Sequence, residues 1–305
     1  MNYSWSRPDV EQAGLGPVAI SRMVRRGKLR RIRFGSYAAA GLDTPADLHR
    51  ALIEGVWPRL EPSAVLSHAS AALVHELPTW PRLLSRVSVT RATGGHGRRL
   101  TDVHYRFCRL PASQVASVGD LRVTSLLRTA CDVARQVEFD EAVAVMDAAL
   151  GRGVRRDELT EILQWQRCWP GAALALSALA VAVPGPQSVM ESVSRMTMLR
   201  TGLPEPVVQF PVLSPTGSLI ATCDFGWPDY GVVGEYDGEG KYGELLTPGR
   251  TGPEAIIAEK RRENAIRDAG WWVVRWTKGD LVDDARFSDL IRRALRRGLT
   301  NRQAG

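Results

Sequence analysis

Two short apolar runs, residues 219–225 (LIATCDF) and 231–237 (GVVGEYD), carry acids where a strand ordinarily has none. That conflict constrains the fold more than any other feature of the chain. Acids are disfavoured in half-buried strands, because a carboxylate removed from water needs a compensating charge. A turn centred near Asp229 and Tyr230 pairs the runs antiparallel and sets Asp224 opposite Glu235. Opposed residues share a face, with Cβ atoms on the order of 5 Å apart. Strand alternation sends Glu235 and Asp237 to one side and Tyr236 to the other. Three carboxylates on one patch repel one another unless a cation sits between them, and carboxylate oxygens select a hard ion, Mg²⁺ or Mn²⁺. The expectation is a metal site built from Asp224, Glu235 and Asp237.

The surrounding elements are legible from punctuation. Residues 187–201 (QSVMESVSRMTMLRT) read as an amphipathic helix opened by Pro184-Gly185-Pro186 and closed by Gly202. Strands over 207–213 and 219–225 are joined by a turn at Ser214-Pro215-Thr216-Gly217. A third strand covers 231–237, a helix runs from about Pro253 to Ala269 and stops at Gly270, and a strand (271–277) and a helix (284–297) close the chain. The predicted order is α-β-β-β-α-β-α.

This order, together with Asp224-Phe225 and Glu235-Tyr236-Asp237-Gly238-x-x-Lys241, resembles the PD-(D/E)xK (restriction-endonuclease-like) superfamily, in its branch related to very-short-patch repair endonucleases. The resemblance spans about 187–298. It implies that Glu191 matches the helix acid, Asp224 the strand acid, and Glu235 and Asp237 the paired acids. Lys241 stands where that branch commonly has a histidine, and Lys260, on the next helix, is the alternative lysine. The implied chemistry is Mg²⁺-dependent phosphodiester hydrolysis by a DNA endonuclease or nickase. Asp224 and Glu235 are then primary ligands, Asp237 is a ligand or orients water, Glu191 is a supporting acid, and Lys241 stabilises developing negative charge.

Positive charge concentrates at the other end of the chain. Of a net charge of +7, the densest part is residues 21–35 (SRMVRRGKLRRIRFG), which contain seven basic side chains and no acid. Such a cluster points to a polyanion, since phosphates supply most non-specific nucleic-acid affinity. Pro8 and Pro17 open two short helices separated by Gly14-Leu15-Gly16, Gly27 ends the second, and Phe34-Gly35-Ser36 turns a basic hairpin. That sequence of elements is the pattern of a winged helix-turn-helix. Ser21, Arg22, Arg25 and Arg26 are expected to face DNA, with Lys28, Arg30, Arg31 and Arg33 on its phosphates.

The middle of the chain shows alternating strand patterns at 86–90 and 103–107 and helical runs at 67–73, 125–134 and 139–150. Arg128 and Asp132 stand one helical turn apart and predict an ion pair. His68, His75 and His104 read as packing or capping residues. The basic hairpin, LSHASAALVHELP (66–78) and LRVTSLLRTACDVA (121–134) are similar to AbiEi-type antitoxin and regulator proteins over roughly 8–160. That resemblance implies DNA binding and transcriptional regulation, with a cognate toxin or other protein as a further partner.

The expected architecture is therefore a multidomain α+β / α/β chain. A winged helix-turn-helix (1–58) precedes an AbiEi-like α/β domain (59–183) and a restriction-endonuclease-like αβββαβ core (184–305). Four cysteines without CxxC spacing fit a reducing cytoplasm, and no leader or membrane-length apolar run is evident; the longest candidate, 171–183, ends at Pro184 and reads as a buried helix. The expected function is a DNA-binding protein with a metal-dependent endonuclease-like domain, in phage defence or a toxin–antitoxin setting. The alternative is an AbiEi-like regulator whose nuclease fold is catalytically silent.

Overall fold

The computed structural model describes residues 3–92, 97–238 and 252–304. The chain divides into two compact units, Met1–Val181 and Ala182–Gly305. In the first, β1 (Trp5–Ser6) leads into α1 (Arg7–Gln12), whose start is fixed by a capping box between Ser6 and Asp9. α2 (Pro17–Arg25) begins at a proline, whose missing N–H is harmless in a first turn, and ends before Gly27 at φ 67°. β2 (Leu29–Arg33) and β3 (Ser36–Ala39) form a hairpin, and β1 pairs with the free edge of β3 in a sheet of order β1-β3-β2. Helix, helix and hairpin follow one another as the prolines and glycines predict.

One hydrophobic cluster crosses the expected boundary near residue 58. α3 (Pro45–Val56), capped by Thr44, sends Leu52, Ile53 and Val56 into the cluster that also holds Leu66, Val87, Val89, Val103 and Val123. Those last residues belong to a six-stranded mixed sheet. Its strands are β4 (Val65–Leu66), β5 (Val87–Arg91), β6 (Arg98–Arg99), β7 (Val103–Phe107), β8 (Val115–Val118) and β9 (Leu121–Thr124), in the order β6-β7-β5-β4-β9-β8. α4 (His68–Val74) packs against β5 and against α5 (Leu126–Ala134), beyond which lie α6 (Phe139–Gly151), α7 (Arg156–Trp165) and α8 (Ala172–Val181). The apolar run at 171–183 is thus a helix of this layer, with Ala172, Ala175, Ala178 and Leu179 buried. No helix among the described residues is long and apolar enough to cross a membrane.

The second unit follows the predicted element order. α9 (Val189–Arg200), capped by Ser188, precedes β10 (Val207–Leu213), β11 (Leu219–Trp227) and β12 (Val232–Tyr236). α10 (Gly252–Asp268), β13 (Trp272–Trp276) and α11 (Asp284–Ala304) complete it. The sheet order is β10-β11-β12-β13, with only β12 and β13 parallel. One face packs Phe225, Trp227 and Trp276 against Met198 of α9 and Phe287 and Ile291 of α11. The other packs Val212, Ala221, Cys223 and Val233 against Ile266 of α10. Burial on both faces explains why β12 reads as nearly continuous apolar sequence. Among the described residues the fold is mixed α+β, with three sheets.

Candidate functional site

β11 and β12 pair from Trp227↔Val232 to Phe225↔Gly234. The regular pairing ends there, one step short of the Asp224–Glu235 pair that the turn predicts. The Tyr236 N–H donates to Asp224 Oδ2 at 2.8 Å, so a carboxylate occupies the place of a strand carbonyl. The pleat of β11 also changes phase at this point. Ala221 and Cys223 pack toward α10, whereas Phe225 and Trp227 pack toward α9 and α11. Opposite Asp224 on β10, between the pairs Val208↔Phe225 and Phe210↔Cys223, Gln209 takes a left-handed φ of 49°. A non-glycine residue there stores strain of order 1–3 kcal/mol, and such residues cluster at functional sites.

Gln209 connects this irregularity to the helix acid. Its Nε2 donates to Glu191 Oε2 at 3.1 Å, and Gln187 N–H donates to the same oxygen at 2.7 Å. Glu191 is buried in the first turn of α9. Glu191 and Asp224 are thus both brought to Gln209, one through its side chain and one across the ladder. Asp237 follows the end of β12, where its N–H donates to the Trp276 carbonyl at 2.8 Å. Lys241 lies outside the described residues. Lys260 is exposed on α10, whose neighbouring positions Glu259, Arg262 and Glu263 face the sheet.

Glu235 has a cationic environment that the sequence reading did not foresee. Its side chain is 10% exposed, and its two oxygens accept from Arg262 at 2.6 Å and Arg275 at 3.0 Å. Arg275 is its register partner on β13. Glu259 bridges the two arginines, and Glu263 pairs with Arg275 at 2.9 Å. Burial works against the Arg262 charge, but Glu259 and Glu235 outweigh it and raise the guanidinium above its ordinary value. Burial also pushes the Cys223 thiol up to about 12, with the Glu235 charge adding to the effect. The compensating charge expected from a metal is therefore supplied at Glu235 by two guanidinium groups. Among the described residues no cluster of three or more His, Cys, Asp or Glu has metal-holding geometry. The donor chemistry of Asp224, Asp237 and Glu191 suits a hard cation. Glu235 is available to one only by giving up an arginine.

At the basic end, Ser21, Arg22, Arg25, Arg26, Lys28, Arg30 and Arg31 are exposed. Val18, Ser21, Arg22 and Arg25 share one outward face of α2 at helical spacing, while Ile20 is buried behind them. Arg31 lies over the ring of Phe34, 5.3 Å from its centroid, and Phe34 is 74% exposed at the hairpin tip. Arg33 departs from expectation. It is half-buried, ion-paired to Asp102 at 2.9 Å and bonded to the Gly55 carbonyl at 3.0 Å, so it braces the hairpin and does not offer its charge to phosphate.

No family model matches the chain. Two proteins of Mycobacterium tuberculosis, "Uncharacterized protein MT2308" (strain CDC 1551 / Oshkosh) and "Uncharacterized protein Rv2248" (strain ATCC 25618 / H37Rv), are each 33% identical to it over 160 residues. The match covers 52% of this chain and 54% of theirs, so the chain spans about half the length of the curated relatives it matches. The crystal structure of the RV2827C protein from Mycobacterium tuberculosis aligns with a TM-score of 0.38 and 16% identity, over 70% of this chain and 80% of that one. A likeness that loose carries no argument.

Proposed function

We propose that the chain is a DNA-binding protein whose second unit is a metal-dependent endonuclease-like domain, acting in phage defence or a toxin–antitoxin setting. The observation behind this reading is the break in the sheet at Asp224. A carboxylate replaces a carbonyl in the ladder, a strained Gln209 faces it, and that glutamine holds Glu191. A purely structural sheet gains nothing from such an interruption. In this reading Asp224 would hold Mg²⁺ or Mn²⁺ with support from Asp237 and Glu191, and Lys241 or Lys260 would stabilise the developing charge. When bound, the cation supplies a water of lowered pKa and neutralises charge at the scissile phosphate. The exposed face of α2 and the basic hairpin, acting as a winged helix-turn-helix, bring the duplex.

The occupancy of both Glu235 oxygens by Arg262 and Arg275 favours a second reading, an AbiEi-like transcriptional regulator with a catalytically silent nuclease fold. A plasmid assay separates the two. On the first reading the purified chain nicks or cuts supercoiled DNA with Mg²⁺ or Mn²⁺, and Asp224→Ala abolishes the activity. Equal cleavage by both proteins removes Asp224 from the chemistry. DNA binding at low salt without any cleavage favours the regulator.

A further inference from the structure

The first unit contains a cationic double cavity that neither functional reading uses. One lobe, about 400 Å³, is lined by His68, Arg106, Phe107, Arg128, Arg135 and Trp169, among others. The other, about 430 Å³, is lined by Arg82, Arg86, Arg99 and Arg106, and the lobes share His104, Arg106 and Gln136. The charges are unevenly answered. Arg82 pairs with Glu141, and the fully buried Asp132 serves both Arg128 (2.8 Å) and Arg135 (2.9 Å). Arg86, Arg99 and Arg106 make no contact ion pair among the described residues. Burial and the charges of Arg99 and Arg135 act against the Arg106 cation, which feels the Asp132 carboxylate only at longer range. Arg86 donates to the Leu100 carbonyl, Arg99 approaches His104 Nε2 at 3.5 Å, and Arg106 donates to Ser88 Oγ at 3.2 Å. A half-buried guanidinium with only a hydroxyl partner keeps much of its desolvation cost, which an anion would offset.

Two features set this cavity apart from an ordinary basic surface. His68 lies at its wall with a left-handed φ of 51°, its Nδ1 3.0 Å from Ser67 Oγ, so backbone strain is held where the charges converge. Trp169 stacks over the guanidinium groups of Arg128 and Arg135, with centroid distances of 5.2 and 5.0 Å, and adds an aromatic wall beside Phe107. The field is positive enough to show on a neighbour: burial, reinforced by Arg106, Arg99 and Arg86, holds the His104 imidazole down near about 4.

We propose that this double cavity binds a phosphomonoester of mononucleotide size, with the phosphate on Arg106, Arg99 and Arg86 and the base in the lobe walled by Phe107 and Trp169. Each lobe is within the size range of small-molecule sites, and the combination of guanidinium groups with an aromatic wall matches a phosphate joined to a flat ring. The site lies within the first unit and does not depend on the acids of the second.

Calorimetric titration of the full chain at low salt tests it, with 5′-AMP, adenosine, inorganic phosphate, and a short oligonucleotide bearing either a 5′-phosphate or a 5′-hydroxyl. AMP is expected to bind one-to-one, phosphate to compete with it, and adenosine to bind at least tenfold more weakly. Arg106→Gln is expected to lower AMP affinity at least tenfold. It leaves Asp132 paired with Arg128 and Arg135, and Arg99→Gln, at an exposed residue, gives the same readout should the first variant fail to fold. A preference for the 5′-phosphorylated oligonucleotide that disappears in Arg106→Gln assigns the phosphate to a strand end. AMP binding without that preference assigns it to a free nucleotide. No saturable binding of any phosphate probe, or equal affinities in wild type and both variants, overturns the proposal.

Discussion

Replacing Asp132 by asparagine tests the electrostatic reading of the first unit most directly. Asp132 has no exposed surface, and it accepts hydrogen bonds from Arg128, Arg135 and Gln166 at 2.8, 2.9 and 2.9 Å. Asparagine keeps the shape but removes the charge and turns an amide N–H₂ toward guanidinium groups. Arg128 retains Gln114, and Arg135 retains the Pro170 carbonyl, but neither retains an anion. Removing one partner of a buried pair costs about 3–5 kcal/mol. For a unit of this size each kcal/mol moves the midpoint by roughly 2–4 °C, so melting should fall by on the order of 10 °C. Burial opposes the Asp132 charge, but the guanidinium groups of Arg128 and Arg135 outweigh it and hold the carboxyl below its ordinary 3.8. Its contribution is therefore present above that value and lost as pH falls through the depressed one, so the two proteins converge only in strong acid. Circular-dichroism melting at neutral pH supplies the measurement. Inorganic phosphate should recover stability more in the variant than in wild type, because the net charge beside the cavity is one unit more positive. A midpoint within a degree or two of wild type at neutral pH would falsify the account of Asp132 as the internal counter-ion.

Other expectations follow from single contacts. Burial holds the imidazoles of His49 and His68 down, at about 4 and about 3 against an ordinary 6.5, so both enter the fold neutral. Their contribution is complete above 6.5 and shrinks as pH falls toward 4, at up to about 1.4 kcal/mol per pH unit for each. A flat urea-denaturation profile between pH 7 and 5 contradicts this. Arg25→Ala with Arg26→Ala should weaken DNA binding and reduce the slope of log affinity against log salt by about 2. Arg33→Ala, which leaves Asp102 without its partner, should lower the melting temperature and leave that slope intact. Arg262→Met releases one Glu235 oxygen and should tighten Mn²⁺ binding to the second unit, as calorimetry would show; unchanged affinity argues that Glu235 is no ligand.

Much of the second unit was legible because its determinants are local. The turn near Asp229 sets the β11–β12 register, Gly270 at φ 87° ends the segment after α10, and Glu235 and Tyr236 face opposite ways as alternation requires. The Arg128–Asp132 pair was visible for the same reason: it spans one turn of one helix. The partners of Glu235 were hidden because they come from 27 and 40 residues away, on a helix and a strand whose facing positions depend on the sheet order. One trace did exist. Glu259, Arg262, Glu263 and Ile266 recur at the spacing of a helix face that turns toward the sheet, and a charged stripe there calls for charged strand residues opposite.

Compensation of charge is where local reading fails in both units, and for one reason. A sequence shows which side chain must be neutralised, but a carboxylate accepts a guanidinium as readily as a metal, and a guanidinium accepts a phosphate as readily as a carboxylate. At Glu235 the chain supplies its own cations, so the case for a metal shifts to Asp224, where a carboxylate interrupts the ladder beside a strained residue. Around Arg106 the sequence shows only scattered arginines. It is the parallel pairing of β5 with β7, and the packing of α4 and α5, that gathers them with a single buried acid. An excess of cations in a concave, partly dry site is the converse of crowded carboxylates, and it calls for an anion from outside the chain.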